Sequence, residues 1–290
     1  MSIADRLRKP TVQGRYLRWV IYGPNRVGKS VLAGSAAAIL PTLFVEVDEG
    51  GSDSLIAFGY EPDVIRITGI KDLNDIFWGL REGTLVSKVQ PGRPFQVAIF
   101  DGATELAKRA MDTILELGPE KLRPQTGFLD STKFPQKREW GITTEQMRKV
   151  IRYFNDLPIH LIWTAQDRTF TDPVSGAAIR IGPALNPALS DDLCNYSKII
   201  SYMYAKAGKE DGVIHRYLIL GPADLNGVPV VAGHRMGLPE DVTYMIDPTF
   251  QDIYDLILTE QDFERKGVSP KTTEAREIEA PRRVLKRRST

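Results

Sequence analysis

The feature that most constrains this chain is an octapeptide near its start, Gly23-Pro24-Asn25-Arg26-Val27-Gly28-Lys29-Ser30. It matches the pattern G-x-x-x-x-G-K-[ST]. A strand-like run, residues 16–22 (YLRWVIY), lies directly before it, and an apolar helical pattern, residues 29–40 (KSVLAGSAAAIL), begins at its lysine. A strand, a Gly-rich turn and a helix in that order make an anion cradle. Gly23 and Gly28 let the backbone wrap closely around a phosphate. The N–H groups of the turn and the start of the helix present partial positive charge to it. In that geometry Lys29 reaches the β- and γ-phosphates and the Ser30 hydroxyl ligates Mg²⁺.

The rest of the chain alternates in the way such a cradle requires. Strand-like runs at 42–48, 63–68, 95–101 and 159–165 are separated by helical patterns at 52–59, 72–88, 103–117 and 142–156. Strands spaced by helices give βαβ units and a parallel sheet covered on both faces. Their near-continuous apolar composition fits that burial. After residue 192 the pattern changes. Residues 197–205, 214–220 and 228–233 are strand-like with no helix of useful length between them, which predicts an antiparallel extension of the same sheet. Residues 249–264 predict one closing helix. The expected organisation is an α/β domain over residues 1–264 and a polar tail, 265–290. The tail carries nine Lys/Arg against three acids and too few apolar residues to bury, a composition that predicts disorder.

Composition narrows the function classes. The 290 residues carry 38 Lys and Arg against 37 Asp and Glu, a net charge of +1, so any nucleic-acid contact must be local rather than the work of a global field. One cysteine, Cys194, excludes an internal disulfide and a four-cysteine zinc site. His160, His215 and His234 lack metal-ligand spacing. His160 lies in an apolar strand and is expected to be a core histidine. The first residues carry charges with no apolar stretch behind them, and no run approaches the length needed to cross a bilayer. A soluble, cytoplasmic protein is the expectation.

Two acidic groups belong beside the phosphate cradle. Asp101 closes the strand FQVAIFD and suits the second Mg²⁺ carboxylate, which orients waters on the metal. Gly102 follows it, so a catalytic base must come from elsewhere. The second strand ends in Val45-Glu46-Val47-Asp48-Glu49-Gly50-Gly51, at the edge where ligands bind in open α/β sheets. Glu49 is the candidate for polarising the attacking water, with Asp48 as the alternative.

The segments GPNRVGKS, VDEGG, VAIFDGATEL, REWG, LIWTAQDR and VVAGHRMGLP, spread over residues 16–240, together resemble the phage-type RecA-like P-loop ATPases of the single-strand annealing and recombination group. The resemblance implies a RecA-like P-loop NTPase core, with a mostly parallel sheet, helices on both faces and an antiparallel C-terminal extension. It also implies ATP with Mg²⁺, association with DNA, ATP sites between subunits of a ring or filament, and a host-cytoplasmic location if the gene is phage-borne. Gln166 resembles the polar residue that senses the γ-phosphate. Arg235 resembles the arginine of a Lys-x-Arg pattern that reaches a neighbour's ATP, although Gly233 stands where the lysine should be.

Two long loops are expected at the same edge. The first, 117–141, carries Lys121, Arg123, Lys133, Lys137 and Arg138 with Phe128, Phe134 and Trp140. The second, 167–191, carries Arg168, Phe170 and Arg180. Cations interleaved with aromatics suit phosphates and stacked bases of single-stranded DNA, and both positions resemble the DNA-binding loops of RecA-like proteins. Other readings stay open on sequence alone: a ring-type DNA motor or helicase, a P-loop small-molecule kinase, and a nucleotide-binding protein that does not hydrolyse.

Overall fold

The computed structural model describes residues 16–47, 50–116, 135–208, 212–235 and 242–257. Six parallel strands form its centre: β1 (Arg18–Tyr22), β2 (Thr42–Glu46), β3 (Asp63–Arg66), β4 (Val97–Asp101), β5 (His160–Ala165) and β8 (Ile199–Ala207). They lie in the order β8-β1-β5-β4-β2-β3. Beyond β8 the sheet turns antiparallel through β9 (Ile214–Ile219) and β13 (Tyr244–Ile246), while the short β12 (Gly233–His234) pairs with the start of β8. The α/β class and the parallel core are as expected; the antiparallel extension begins only at β9, because β8, which covers most of the expected strand 197–205, pairs parallel with β1.

Alternate residues of each strand point to opposite faces, and each face has its own apolar core. On one face Ile21, Phe44, Ile99 and Ile162 meet Leu32 and Ala33 of α1 (Lys29–Gly34), Leu55 of α2 (Gly51–Ala57) and Phe250 and Ile253 of α7 (residues 250–257). On the other, Val45, Ala98, Phe100, Leu161 and Trp163 meet α3 (Asp72–Glu82), α4 (Ala103–Glu116), α5 (Lys137–Asn155) and α6 (Pro187–Tyr196). In α5 the buried residues are Thr143, Met147, Ile151 and Phe154, the i, i+4, i+8, i+11 spacing of one helical stripe.

The amino edge of the sheet is closed by Arg18. Its buried guanidinium donates to the carbonyls of Leu17, Asn155, Leu157 and Ile159, tying the end of α5 to the entry of β5. Burial lowers its pKa to about 10, against a raising influence from Asp156.

Several expected boundaries move. The first helix runs regularly only to Gly34 and tightens to a 3₁₀ turn at Ser35–Ala38. There the Ser35 hydroxyl donates to the Leu32 carbonyl and accepts the Phe250 amide that begins α7. The helix expected at 72–88 stops at Glu82, because Gly83 turns left-handed (φ 69°). Helix α5 begins at Lys137 rather than 142, since the Glu139 carboxylate caps the Gln136 amide.

The larger correction concerns the expected loop 167–191. It is a hairpin followed by a helix. β6 (Asp167–Thr171) pairs antiparallel with β7 (Ala178–Pro183) around Asp172, whose carboxylate accepts the Val174 and Ser175 amides. Asn186 then accepts the Leu189 amide and starts α6, with Pro187 at the first turn. Together with β10 (Ala223–Leu225) and β11 (Val228–Val230) the hairpin forms a second sheet in the order β10-β11-β7-β6. Residues 228–230 therefore leave the main sheet, in which only Gly233 of the expected strand 228–233 pairs, together with His234 just beyond it. The Tyr22 hydroxyl, within hydrogen-bond distance of the carbonyls of Ile181 (3.0 Å) and Val231 (2.8 Å), joins this second sheet to the first.

No helix among the described residues is long and apolar enough to cross a membrane. The tail 265–290 and the segment 258–264 of the expected closing helix lie outside the described residues.

Candidate functional site

The carboxyl ends of β1, β2, β4 and β5 converge on the octapeptide. Sheet register places Glu46, Asp101, Thr164 and Ile21 in one row, each opposite the next. The chain leaves β1 at Tyr22 and turns at once into the loop 23–30, which enters α1 at Lys29. Gly23 is pressed against β8: a Cβ there would fall 2.0 Å from the Met203 carbonyl oxygen. Arg26 holds a left-handed conformation (φ 63°) at the exposed tip of the loop.

Lys29 folds back over its own loop. Its ammonium donates to the carbonyls of Gly23 (2.9 Å) and Pro24 (2.6 Å). Burial pushes its pKa below the ordinary lysine value, and the carboxylates of Asp101 and Asp167 pull the other way. The Ser30 hydroxyl lies 2.8 and 2.9 Å from the two Asp101 oxygens. Asp101 is only 5% exposed. Thr164 holds it from the opposite side, its hydroxyl donating to Oδ1 (2.7 Å) and accepting the Gly102 amide (2.9 Å). Gly102 has φ 111°, a conformation that side chains strongly disfavour. That is the physical reason no carboxylate follows Asp101 here.

Lys29, Ser30 and Asp101 thus lie together. Glu49 and Asp48 lie outside the described residues; the described part of their strand ends beside the site. Its Glu46 is buried and occupied, accepting from the Ser52 amide (3.1 Å) and hydroxyl (2.8 Å) at the first turn of α2. Gln166 sits at the carboxyl end of β5. Its amide donates to the Thr104 hydroxyl and its carbonyl accepts the Ala184 amide, which links the site's rim to the second sheet.

Arg235 is not at this site. It follows β12, and its amide donates to the Lys198 carbonyl, one residue before β8 begins. Lys198 in turn donates its amide to Arg18 at the start of β1. Arg235 therefore stands at the amino edge, about 13 Å along the sheet from the end of β1 at 3.3 Å per residue. The arginine that does lie against the phosphate loop is Arg216 of β9: a Cβ on Gly28 would fall 2.7 Å from its Nε. Sequence reading missed Thr164, which holds Asp101, and Asp167 and Arg216, which lie beside Lys29 and Gly28, because strand order alone brings each of them there.

The expected DNA loops are redrawn. Lys121, Arg123, Phe128, Lys133 and Phe134 lie outside the described residues. Lys137, Arg138 and Trp140 are exposed but helical, on the first turn of α5. Phe170 is buried, with the guanidinium carbons of Arg168 and Arg180 at 5.4 and 4.9 Å from its ring centre, and Arg180 is paired with Asp191. This cluster braces the hairpin and offers no open ring to a base. His160 is the core histidine expected, its Nδ1 accepting the Leu17 amide.

The residues present fit Mg²⁺. They offer hard oxygens from one hydroxyl and one carboxylate, and Mg²⁺ at phosphate sites characteristically takes one or two carboxylates plus substrate phosphates and waters. Among the described residues, no group of three or more His, Cys, Asp or Glu forms a metal site.

No curated protein sequence matches the chain. Among solved structures it is similar to a KaiC-like protein of the hyperthermophilic archaeon Pyrococcus horikoshii OT3, at 11% identity over 69% of this chain and 76% of that one, TM-score 0.36. It is also similar to the flagellar accessory protein FlaH of Methanocaldococcus jannaschii, at 10% identity over 72% and 80%, TM-score 0.36. These are loose likenesses of fold. The sequence itself is decisive, because the AAA domain profile matches residues 15–227, well over half of the chain and all of the site just described. The chain belongs to the AAA domain family, and its site is that of a P-loop ATPase.

Proposed function

We propose that this protein binds ATP with Mg²⁺ on the loop 23–30, hydrolyses it, and couples the cycle to single-stranded DNA in recombination or annealing, as a self-associating RecA-like ATPase. The observation that supports the catalytic part most directly is the Ser30 hydroxyl 2.8 Å from a buried Asp101, one residue after Lys29. When bound there, Mg²⁺ neutralises charge on the β- and γ-phosphate oxygens. Lys29 exchanges its two carbonyl acceptors for phosphate oxygens. Thr164 keeps the Asp101 carboxylate aimed at Ser30. Glu49, with Asp48 as the alternative, follows the strand whose end is in register with Asp101. A carboxylate there accepts the proton of the attacking water. Gln166 senses the γ-phosphate, and Arg235 serves a neighbouring subunit.

For DNA, the exposed Lys137, Arg138 and Trp140 support the reading. Helix α5 spans about 28 Å at 1.5 Å per residue and ends beside Arg18 at the amino edge, so its first turn reaches the edge that holds the phosphate loop. Two cations and an open indole there suit a strand's phosphates and one stacked base. The tail 265–290 adds counterion-release affinity without specificity.

The test is ATP hydrolysis with and without single-stranded DNA. The expected result is DNA-stimulated turnover that Lys29→Ala abolishes along with nucleotide binding, and that Glu49→Gln abolishes while binding persists. Normal turnover by Glu49→Gln with an inactive Asp48→Asn would move the base one residue back. Hydrolysis indifferent to DNA would remove the DNA part and leave the ATPase.

A further inference from the structure

A second cation lies on the phosphate loop, supplied by the same chain. Arg216 pairs in register with Ala205 of β8. It therefore shares the face of Met203 and Leu218, which cover α1. Its side chain runs along Gly28, so close that a Cβ there would sit 2.7 Å from Nε and 2.9 Å from Cδ. The missing side chain at Gly28 is what admits the arginine.

The backbone at 216 is held on both sides. Its amide donates to Asp247 Oδ1 (2.8 Å) and its carbonyl accepts the Asp247 amide (2.7 Å). The other Asp247 oxygen is 2.6 Å from His215 Nδ1. The guanidinium, by contrast, is not tied down. Among the described residues no carboxylate or carbonyl accepts a hydrogen bond from it; it lies over the exposed Phe58 ring, 5.6 Å from its centre, with the Asp247 carboxylate near enough to act on it through charge alone. A fixed backbone carrying a guanidinium without a hydrogen-bond acceptor, laid against a loop that binds anions, is a cation set out for a ligand.

We propose that Arg216 is a nucleotide-binding residue acting within its own subunit, its guanidinium moving from Phe58 to the α- and β-phosphates of the nucleotide held by the loop 23–30. The choice of phosphates follows from position. Gly28 belongs to the backbone that cradles the α- and β-phosphates, whereas Lys29 reaches on toward the γ-phosphate. A guanidinium offers planar, paired donors to phosphate oxygens. Arg216 therefore serves ADP as well as ATP, unlike an arginine delivered to the γ-phosphate by a neighbour.

The proposal rests on the phosphate-loop reading, and the experiment separates the two. ADP and ATP affinities are measured by calorimetry for the wild type, Arg216→Met, Arg216→Lys and Lys29→Ala. Arg216→Met keeps the aliphatic reach and loses the charge. It should bind both nucleotides at least tenfold more weakly, with its melting temperature within a few degrees of wild type, and Arg216→Lys should recover part of the loss. Arg216→Met that binds both nucleotides within twofold of wild type overturns the proposal while leaving the loop reading standing. A wild type that binds neither nucleotide overturns both. In the unaltered protein, phenylglyoxal labelling of Arg216, followed by peptide mass spectrometry, should fall severalfold when ADP is added. Labelling unchanged by saturating ADP would overturn the role without recourse to any variant.

Discussion

Gly51, the first residue of α2, passes so close to Asp101 that a Cβ in its place would lie 2.4 Å from Oδ2. The carboxylate cannot easily retreat, because Ser30 and Thr164 hold it from two other directions. Gly51, in the turn Glu-Gly-Gly after the second strand, thus shapes the Asp101 side of the site.

Gly51→Ala should therefore cost catalysis more than folding. Alanine's helical preference, worth about 1 kcal/mol in a helix interior and less at this first position, offsets only part of the cost of displacing a carboxylate held from two sides, so the melting temperature should fall by a few degrees. The displaced Asp101 should weaken Mg²⁺-dependent turnover on the order of tenfold, with metal-free nucleotide binding changed far less. The check is a Mg²⁺ titration of ATPase alongside thermal unfolding. An unaltered Mg²⁺ dependence would mean that Asp101 shifts without consequence.

The Lys29 ammonium gives the nucleotide site a pH signature. Burial, opposed by Asp101 and Asp167, places its pKa below that of an ordinary lysine. A bound phosphate stabilises the ammonium and raises the pKa again. As pH rises through the lowered value, the free protein loses the proton that the complex keeps. Nucleotide binding should then take up protons and weaken on the alkaline side earlier than a solvated lysine would cause. Calorimetry of ADP binding in buffers of different ionisation enthalpy measures the uptake. Lys29→Arg should abolish it, since a guanidinium stays charged throughout.

How much of this was legible in the sequence depends on separation along the chain. The phosphate loop, Lys29 and Ser30 form one contiguous turn, and Asp101 ends a strand that its own apolar run announces. Thr164 touches Asp101 from 63 residues away and Arg216 reaches the loop from far beyond that. Such meetings are set by strand order, which no local pattern encodes. The hairpin 167–183 failed for a different reason. Its Asp172, Pro173 and Gly176 read as loop composition, yet they are the turn between two strands, 167–171 and 178–183. Helix α5 was begun too late because the capping carboxylate Glu139 lies before the apolar stripe that revealed the helix.

His160 predicts an acid-dependent loss of stability. Burial, with lesser influences from Arg18 and Lys198, lowers its pKa from the ordinary 6.5 to about 4. Its Nδ1 must stay unprotonated to accept the Leu17 amide. Between these two values the unfolded chain binds the proton and the folded chain does not, so stability falls as pH drops from about 6.5 to about 4 and levels off below. The gap is worth about 3 kcal/mol at 1.36 kcal/mol per unit. Urea unfolding across that range should show the slope. His160→Gln, which can still accept the amide through its side-chain oxygen, should flatten it. An unchanged slope would assign the acid sensitivity to other groups.

Arg235 supplies the prediction that bears on assembly. It stands at the amino edge beside Lys198, while the phosphate loop opens from the carboxyl edge of the same sheet. A side chain cannot span that separation, so any contact between Arg235 and a γ-phosphate must be with another subunit's nucleotide. An arginine supplied in this way stabilises charge that develops in the transition state and can be worth roughly 10³–10⁵ in rate. Turnover per subunit should therefore rise with protein concentration. Arg235→Ala should abolish that rise while leaving nucleotide affinity nearly intact, in contrast to Arg216→Met, which should weaken affinity at every concentration. The decisive arrangement mixes Arg235→Ala with Lys29→Ala. The first offers an intact site without the arginine, the second an intact arginine without a working site, so mixed assemblies should regain part of the activity that neither has alone. No recovery, in a mixture shown by cross-linking to co-assemble, would leave Arg235 as a surface residue of the amino edge.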